Sequence, residues 1–223
     1  MNEQTALVIG ASGLIGSFVV EELLRDASFK TVRALVRKKL NIDHPKFQQT
    51  IVNFNDINDY ADKFGFGDVI FCCIGTTQKK VKGDKIAYEK IDFDIPINAA
   101  RMGIVNKFKK FFIVSSVGAN ENASNFYLQL KGKTENALQQ FSYQSIGIFR
   151  PSTLLGNRKE IRPAEKVMQK IMKTISGLFS GSLKKYRAIY ASDVAKAMVK
   201  ESKKENPGVH IFEYKEMMDL IEK

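Results

Sequence analysis

Cysteine is almost missing from this sequence: there are two, and they are neighbours, Cys72 and Cys73. Adjacent thiols cannot staple distant segments and lack the spacing of a metal site, which excludes a disulfide scaffold and a zinc module. Both lie inside an apolar run and read as core residues, and their reduced state points to the cytosol. No apolar run reaches membrane-spanning length. Met1 to Thr5 is polar and lacks the basic-then-apolar order of a secretion signal. Internal repeats, linkers rich in Pro, Gly or Ser, and low-complexity stretches are also missing, which excludes disordered and repeat architectures. No nucleic-acid reader motif or aromatic-basic platform accompanies the net charge of +11.

What is present is ordinary globular composition, 44% hydrophobic and 26% charged over 223 residues. A chain of this size suits one domain that buries roughly 70% of its unfolded surface. The positive charge suits an anionic ligand, nucleic acid or a membrane surface. Its dispersion into Lys79, Lys80, Lys82 and Lys85, then Lys107, Lys109 and Lys110, then Lys200, Lys203 and Lys204, is the pattern of a solvated surface.

Short apolar runs alternate with helical segments along the whole chain, the pattern of parallel strands joined by crossover helices. Strands are expected at Ala6–Ile9, Val32–Val36, Thr50–Val52, Val69–Ile74, Phe111–Ser115, Ser145–Phe149 and Val209–Phe212. Helices are expected at Leu14–Arg25, Asp56–Lys63, Ile86–Asn106, Asn125–Gln140, Ala164–Ser176, Asp193–Lys203 and Glu216–Glu222, with Asp193 as an N-cap. The fold class is therefore α/β: a doubly wound parallel sheet of the Rossmann type in a single domain. Residues 1–155 form the cofactor-binding core, and residues 156–223 carry an irregular cap, the last strand and the last helices. The cap runs from Gly156 to Arg187 over the carboxyl ends of the strands, with a turn at Gly177–Gly181.

Gly10, Gly13 and Gly16 follow the first strand and open the first helix. In that context Gly10 permits a tight turn, Gly13 lets backbone approach a pyrophosphate, and Gly16 lets helix and strand pack closely, while the N–H groups at the helix start meet the phosphates. The turn predicts a bound dinucleotide. About twenty residues later, where an NAD-binding version carries an acidic ribose reader, the strand ends in Val36-Arg37-Lys38-Lys39. A guanidinium grips a phosphate through two hydrogen bonds, so Arg37, helped by Lys38, indicates NADP(H) in preference to NAD(H), which the same turn also admits. The plainer alternative is a solvated basic turn.

The strand Phe111–Ser115 runs into Ser116; Tyr127 follows eleven residues later, and Lys131 lies four beyond it on the same helical face. The spacing alone carries little, and the combination carries the reading. A serine at a strand end and a Tyr-Lys face on the next helix converge where the nicotinamide of a cofactor held at Gly10–Gly16 arrives. Tyr127 would then pass a proton to or from a substrate oxygen, Ser116 would hold that oxygen, and Lys131 would hold the nicotinamide ribose. A free phenol ionises near pH ~10, so half ionisation at neutral pH needs ~4 kcal/mol. One ammonium about 4 Å away supplies that order of energy. An ordinary amphipathic helix is the alternative.

Taken together, the glycine turn, the serine and Tyr-x-x-x-Lys resemble the short-chain dehydrogenase/reductase superfamily over nearly the whole chain. Phe71-Cys-Cys-Ile-Gly-Thr-Thr77, Asn125-Phe-Tyr-Leu-Gln-Leu-Lys-Gly132 and Phe149-Arg-Pro-Ser-Thr-Leu-Leu155 resemble its atypical, Tat-interacting-protein-like branch. The resemblance implies that Ala11, Ser12, Gly13, Leu14 and Ile15 line the cofactor phosphates. By the same likeness Asn53 and Phe54 flank the adenine, Gly75 and Thr76 lie along the ribose and pyrophosphate, and Pro151, Ser152, Thr153 and Leu154 approach the nicotinamide. The larger C-terminal domain of the sugar-nucleotide branch is lacking, which disfavours an epimerase or dehydratase. The expectation is an NADP(H)-dependent oxidoreductase acting on a small carbonyl or alcohol in the cytoplasm, with no metal and no nucleic-acid partner. The alternative is a cofactor-bound regulatory or interaction protein. Arg158 and Arg162 are candidates for holding an anionic substrate or are exposed helix-flanking charges.

Overall fold

The computed structural model describes residues 3–156 and 181–222. In chain order the strands are β1 (Gln4–Ile9), β2 (Phe29–Val36), β3 (Phe47–Ile51), β4 (Val69–Cys72), β5 (Lys110–Val114), β6 (Ser145–Phe149), β7 (Leu154–Leu155), β8 (Ile189–Tyr190) and β9 (Gly208–Phe212). The helices are α1 (Leu14–Arg25), α2 (Ile57–Phe64), α3 (Lys85–Glu89), α4 (Ile95–Val105), α5 (Phe126–Leu138), α6 (Ala191–Ser202) and α7 (Tyr214–Glu222). A 3₁₀ turn covers Gly181–Tyr186.

Seven parallel strands form one sheet in the order β3-β2-β1-β4-β5-β6-β9, and β7 pairs with β8 in a short parallel ribbon beside it. Strand order reverses between β1 and β4, so the crevice of this doubly wound sheet opens at their carboxyl ends. Alternation along β1 supplies both faces. Ala6 and Val8 join the core built on α1, α6 and α7, while Leu7 and Ile9 join the core built on α2, α4 and α5. Every residue of β4 and β6 is buried, as expected where helices cover both sheet faces.

All seven expected strands of the sheet form, and side-chain caps begin three of the helices, α2, α3 and α5. Asp56 accepts the backbone N–H groups of Asn58 and Asp59 to begin α2, and Asn125 accepts that of Leu128 to begin α5. Two expectations need correction. Asp193 is not an N-cap: α6 begins at Ala191 after Tyr190, which β8 holds extended, so Asp193 falls within the first turn. The long helix expected over Ile86–Asn106 is broken by a π turn at Lys90–Asp94. Pro96 accounts for the break. It has no N–H to return to the carbonyl of Asp92, and the N–H of Ile95 reaches back to Lys90 instead. The carbonyl thus released accepts the Thr134 hydroxyl at 3.1 Å. The helix expected at Ala164–Ser176 and most of the cap lie outside the described residues.

The aromatic stack across β5, β6 and β9 generates a stability prediction. Phe149 is fully buried, edge-on to Phe112 at 6.1 Å and stacked on Phe212 at 4.6 Å. Phe149→Ala is expected to cost about 3–5 kcal/mol, lowering the midpoint by roughly 2–4 °C per kcal/mol in a thermal melt followed by circular dichroism.

Candidate cofactor and active site

At the end of β1, Gly10 adopts φ +87°, and a Cβ there would stand 2.6 Å from the carbonyl carbon and oxygen of Cys73. Glycine is thus required twice, by conformation and by the approach of the two strand ends. Gly16 faces the same turn from α1, where a Cβ would lie 2.2 Å from the Gly10 oxygen. Gly13, at φ −77°, is the N-cap of α1 and offers no side chain to it, and the first turn contains no acidic residue. An uncapped helix start without a carboxylate is suited to an anion, so the residues present fit the pyrophosphate of a dinucleotide. Ser12 is exposed on the turn, Gly13 and Leu14 are half-buried, and Ala11 and Ile15 are buried beneath it. A Cβ at Gly156 would touch the Leu14 side chain at 3.6 Å, so the segment ending in Leu154–Gly156 lies against the turn.

Arg37, Asn53 and Phe54 come together in the wall of one cleft of about 460 Å³ at the ends of β2 and β3, with Val52, Ile91 and Ile95. Lys38 is exposed next to Arg37 but is not among the residues of that wall. Asp59 fixes the wall by accepting the Asn53 N–H at 2.8 Å while pairing with Lys63. These two partners, Lys63 first, hold its carboxyl below the usual aspartate range.

Ser115 and Ser116 follow β5. The Ser115 N–H bonds the Phe149 carbonyl at 2.7 Å and the Val117 N–H bonds that of Pro151 at 3.0 Å, so Ser116 is strapped to the Pro151 segment. Ser116 is half-buried with Oγ 3.3 Å from the Val117 carbonyl. The hydroxyl of Ser152 bonds to the Arg187 carbonyl, and the Thr153 carbonyl accepts the Ile189 N–H at 3.1 Å. Those two groups brace the loop.

Tyr127 and Lys131 share one face of α5, with Nζ 5.9 Å from the centre of the phenol ring. The ammonium thus stands over the ring, and it is not a lone charge. It sits 3.1 Å from Oδ1 of Asp92; the carboxylate is 1% exposed and the lysine 5%. Burial, the largest single influence, pulls the Lys131 ammonium toward neutrality, but the adjacent Asp92 carboxylate, together with Tyr127 and the Cys72 thiol, holds the group above the ordinary lysine range. The second Asp92 oxygen accepts the Thr76 N–H at 2.8 Å, and Tyr88 Oη donates to the Thr76 carbonyl at 3.2 Å. Gly75 is exposed just above this carboxylate. A second buried carboxylate, Glu135, takes the Ser115 hydroxyl and pairs with Arg150, whose guanidinium it holds above the ordinary range. Burial pushes the Cys72 thiol up to about 12, in keeping with its reading as a core residue.

Asp92, Tyr88, Glu135 and Arg150 were not singled out from sequence. Asp92 had a signal: with Tyr88, Ile95 and Ala99 it falls on one apolar stripe, where a carboxylate requires a buried partner. Arg158 and Arg162 lie outside the described residues.

The family model described as NAD(P)H-binding matches residues 10–205, spanning the glycine turn and both halves of the sheet. The chain belongs to the NAD(P)H-binding family. Within it, the chain is 32% identical over 173 residues to Protein HTATIP2 of Rattus norvegicus, covering 76% of this chain and 71% of that protein. It is 34% identical over 155 residues to Protein FMP52, mitochondrial, of Eremothecium gossypii, covering 69% of this chain and 68% of that one. These likenesses place it in the atypical, Tat-interacting-protein-like branch of the short-chain dehydrogenase/reductases. The Bordetella bronchiseptica enzyme WbmH, solved in complex with NAD+, superposes with a TM-score of 0.71 at 15% identity, covering 96% of this chain and 76% of that one. At that identity the likeness is one of fold.

The glycine geometry ranks three substitutions. A Cβ at Gly13 meets only the Gly10 oxygen at 3.1 Å and the Cys73 oxygen at 3.7 Å, whereas at Gly10 and Gly16 it collides with backbone. Gly13→Ala is expected to leave the melting temperature near that of the parent. Gly10→Ala and Gly16→Ala should each lose about 1–3 kcal/mol in urea titrations.

Proposed function

We propose that this member of the NAD(P)H-binding family is an NADP(H)-dependent oxidoreductase acting on a small carbonyl or alcohol. The observation that carries the reading is the placing of Lys131 Nζ over the Tyr127 ring, 5.9 Å from its centre, on one face of α5. The cofactor, when bound, supplies the hydride that the carbonyl carbon accepts. Ser116 Oγ donates a hydrogen bond to the carbonyl oxygen, Tyr127 Oη delivers the proton that this oxygen takes up, and solvent returns a proton to Tyr127. The Lys131 ammonium holds the nicotinamide ribose. Gly10 to Gly16 take the pyrophosphate, Asn53 and Phe54 the adenine, and Arg37 the extra phosphate, with Gly75, Thr76 and the Pro151–Leu154 segment along the nicotinamide half. No helix among the described residues is long and apolar enough to cross a membrane. Free thiols at Cys72 and Cys73 suit a reducing compartment, and we assign the cytosol.

A nicotinamide-binding regulator is the second reading, and the Asp92–Lys131 pair favours it, because a neutralised ammonium assists a phenol less than a lone one does. Turnover separates the two. Tyr127→Phe keeps the ring packed between Lys131 and Tyr88, so NADPH affinity should stay within about twofold while carbonyl reduction falls roughly 10²–10⁴-fold. The assay follows NADPH absorbance over a panel of carbonyls; a parent protein inactive with all of them supports the regulator.

Cofactor choice is tested at Arg37, which is exposed in the cleft wall and free to meet a phosphate. A charged hydrogen bond contributes about 1.5–3 kcal/mol, so the parent should prefer NADPH to NADH by roughly ten- to a hundredfold. Arg37→Asp repels that phosphate and offers a carboxylate to the ribose, and calorimetry at fixed ionic strength should show preference moving toward NADH. Equal affinities in the parent would remove Arg37 from the site.

A further inference from the structure

We infer that Asp92 is the positioning residue of this site: its carboxylate couples the loop at Thr76 to Lys131, so that the ammonium stays charged and aimed at the bound cofactor. The inference rests on the reading that Lys131 meets that cofactor. Asp92 lies within the π turn at Lys90–Asp94, with its side chain buried. The carboxylate reaches two elements at once. Oδ1 lies 3.1 Å from Lys131 Nζ on α5, and Oδ2 takes the Thr76 N–H at 2.8 Å at the end of β4. The carbonyl of the same residue takes the Thr134 hydroxyl one turn along α5 at 3.1 Å, which fixes the helix that carries Lys131. Stability is a poor account of the arrangement. A buried ion pair is often matched by apolar residues of similar volume, so stability alone does not account for the pair.

Among the described residues, the groups facing the lysine are few. Besides Asp92 on the π turn they are Tyr127 on α5 and the Cys72 thiol at the end of β4, and the thiol is pushed up to about 12 by burial. Tyr88 Oη is engaged with the Thr76 carbonyl, and Glu135, one helical turn further on, with Ser115 and Arg150. A lysine so enclosed depends chiefly on one carboxylate for its charge. With Asp92 neutral, the main group opposing burial is gone, Tyr127 and the Cys72 thiol alone remain beside it, and loss of the proton is favoured as pH rises. The ammonium's hydrogen bonds and attraction toward the anionic cofactor then go with it.

The test is NADPH affinity between about pH 7 and 9, a window above the second phosphate ionisation near ~6 and below ordinary lysine near ~10.4. Asp92→Asn keeps an acceptor for the Thr76 N–H and deletes only the charge. The parent should hold its affinity within about twofold over the window, and Asp92→Asn should weaken about tenfold per pH unit once its lysine begins to lose its proton. A folded Asp92→Asn protein with the flat profile of the parent would overturn the inference, because a merely structural carboxylate leaves the profile unmoved. If Asp92→Asn does not fold, Lys131→Met is compared with Asp92→Asn/Lys131→Met, which carries no unpaired buried charge. Equal NADPH affinity in these two is the expected result, since Asp92 acts through Lys131; a further loss beyond about threefold in the double variant would overturn it. Affinity is read without turnover, so an inactive parent that binds NADPH defeats the oxidoreductase reading and leaves this test standing. A parent that binds neither NADPH nor NADH defeats both.

Discussion

Strands β1 and β4 approach so closely at their carboxyl ends that the chain leaving β1 passes within contact of the Cys73 carbonyl. Only a residue without a side chain, in the left-handed region, can turn there, and Gly10 at φ +87° does so. From that turn the direction of α1 follows, and Gly16 lets the helix come down onto it. The uncapped start of α1 is thereby aimed at the crevice where the strand order reverses. The cleft at the ends of β2 and β3 lies on one side of this point, and the Ser-Tyr-Lys elements lie on the other.

The second organising feature is polar and buried. Two carboxylates enter the packed helices at the carboxyl side of the sheet: Asp92 with Lys131, and Glu135 with Arg150 and Ser115. Each buried charge is costly unless it is paired and hydrogen-bonded, so each fixes its partners in place. Lys131 and Glu135 stand one turn apart on α5. The helix is thus held toward the loop after β4 by one acid and toward the ends of β5 and β6 by the other. Gly132 completes the seating, because a Cβ there would lie 2.2 Å from the backbone of Asn120 and Glu121.

These features differ in how they are written. The alternation of strands and helices is local in origin, carried by apolar periodicity and by caps such as Asp56 and Asn125. The glycine turn is local as well, since its three positions fall between a strand and a helix, and so is the Tyr127–Lys131 face. The Asp92–Lys131 contact joins residues 39 positions apart, and Glu135 meets Ser115 across 20. A carboxylate on an apolar stripe tells of a buried partner but does not name it.

Sequence alone therefore determined the element order, the parallel sheet, the glycine turn between β1 and α1, and the shared face of Tyr127 and Lys131, because each depends on spacings within one or two neighbouring elements. Tertiary structure decided the start of α6 at Ala191 and the gathering of Arg37, Asn53 and Phe54 in one cleft. It also decided the electrostatic state of Lys131. A lysine's charge depends on what lies within a few ångströms of it, and the group that lies there is brought by the packing of the π turn against α5.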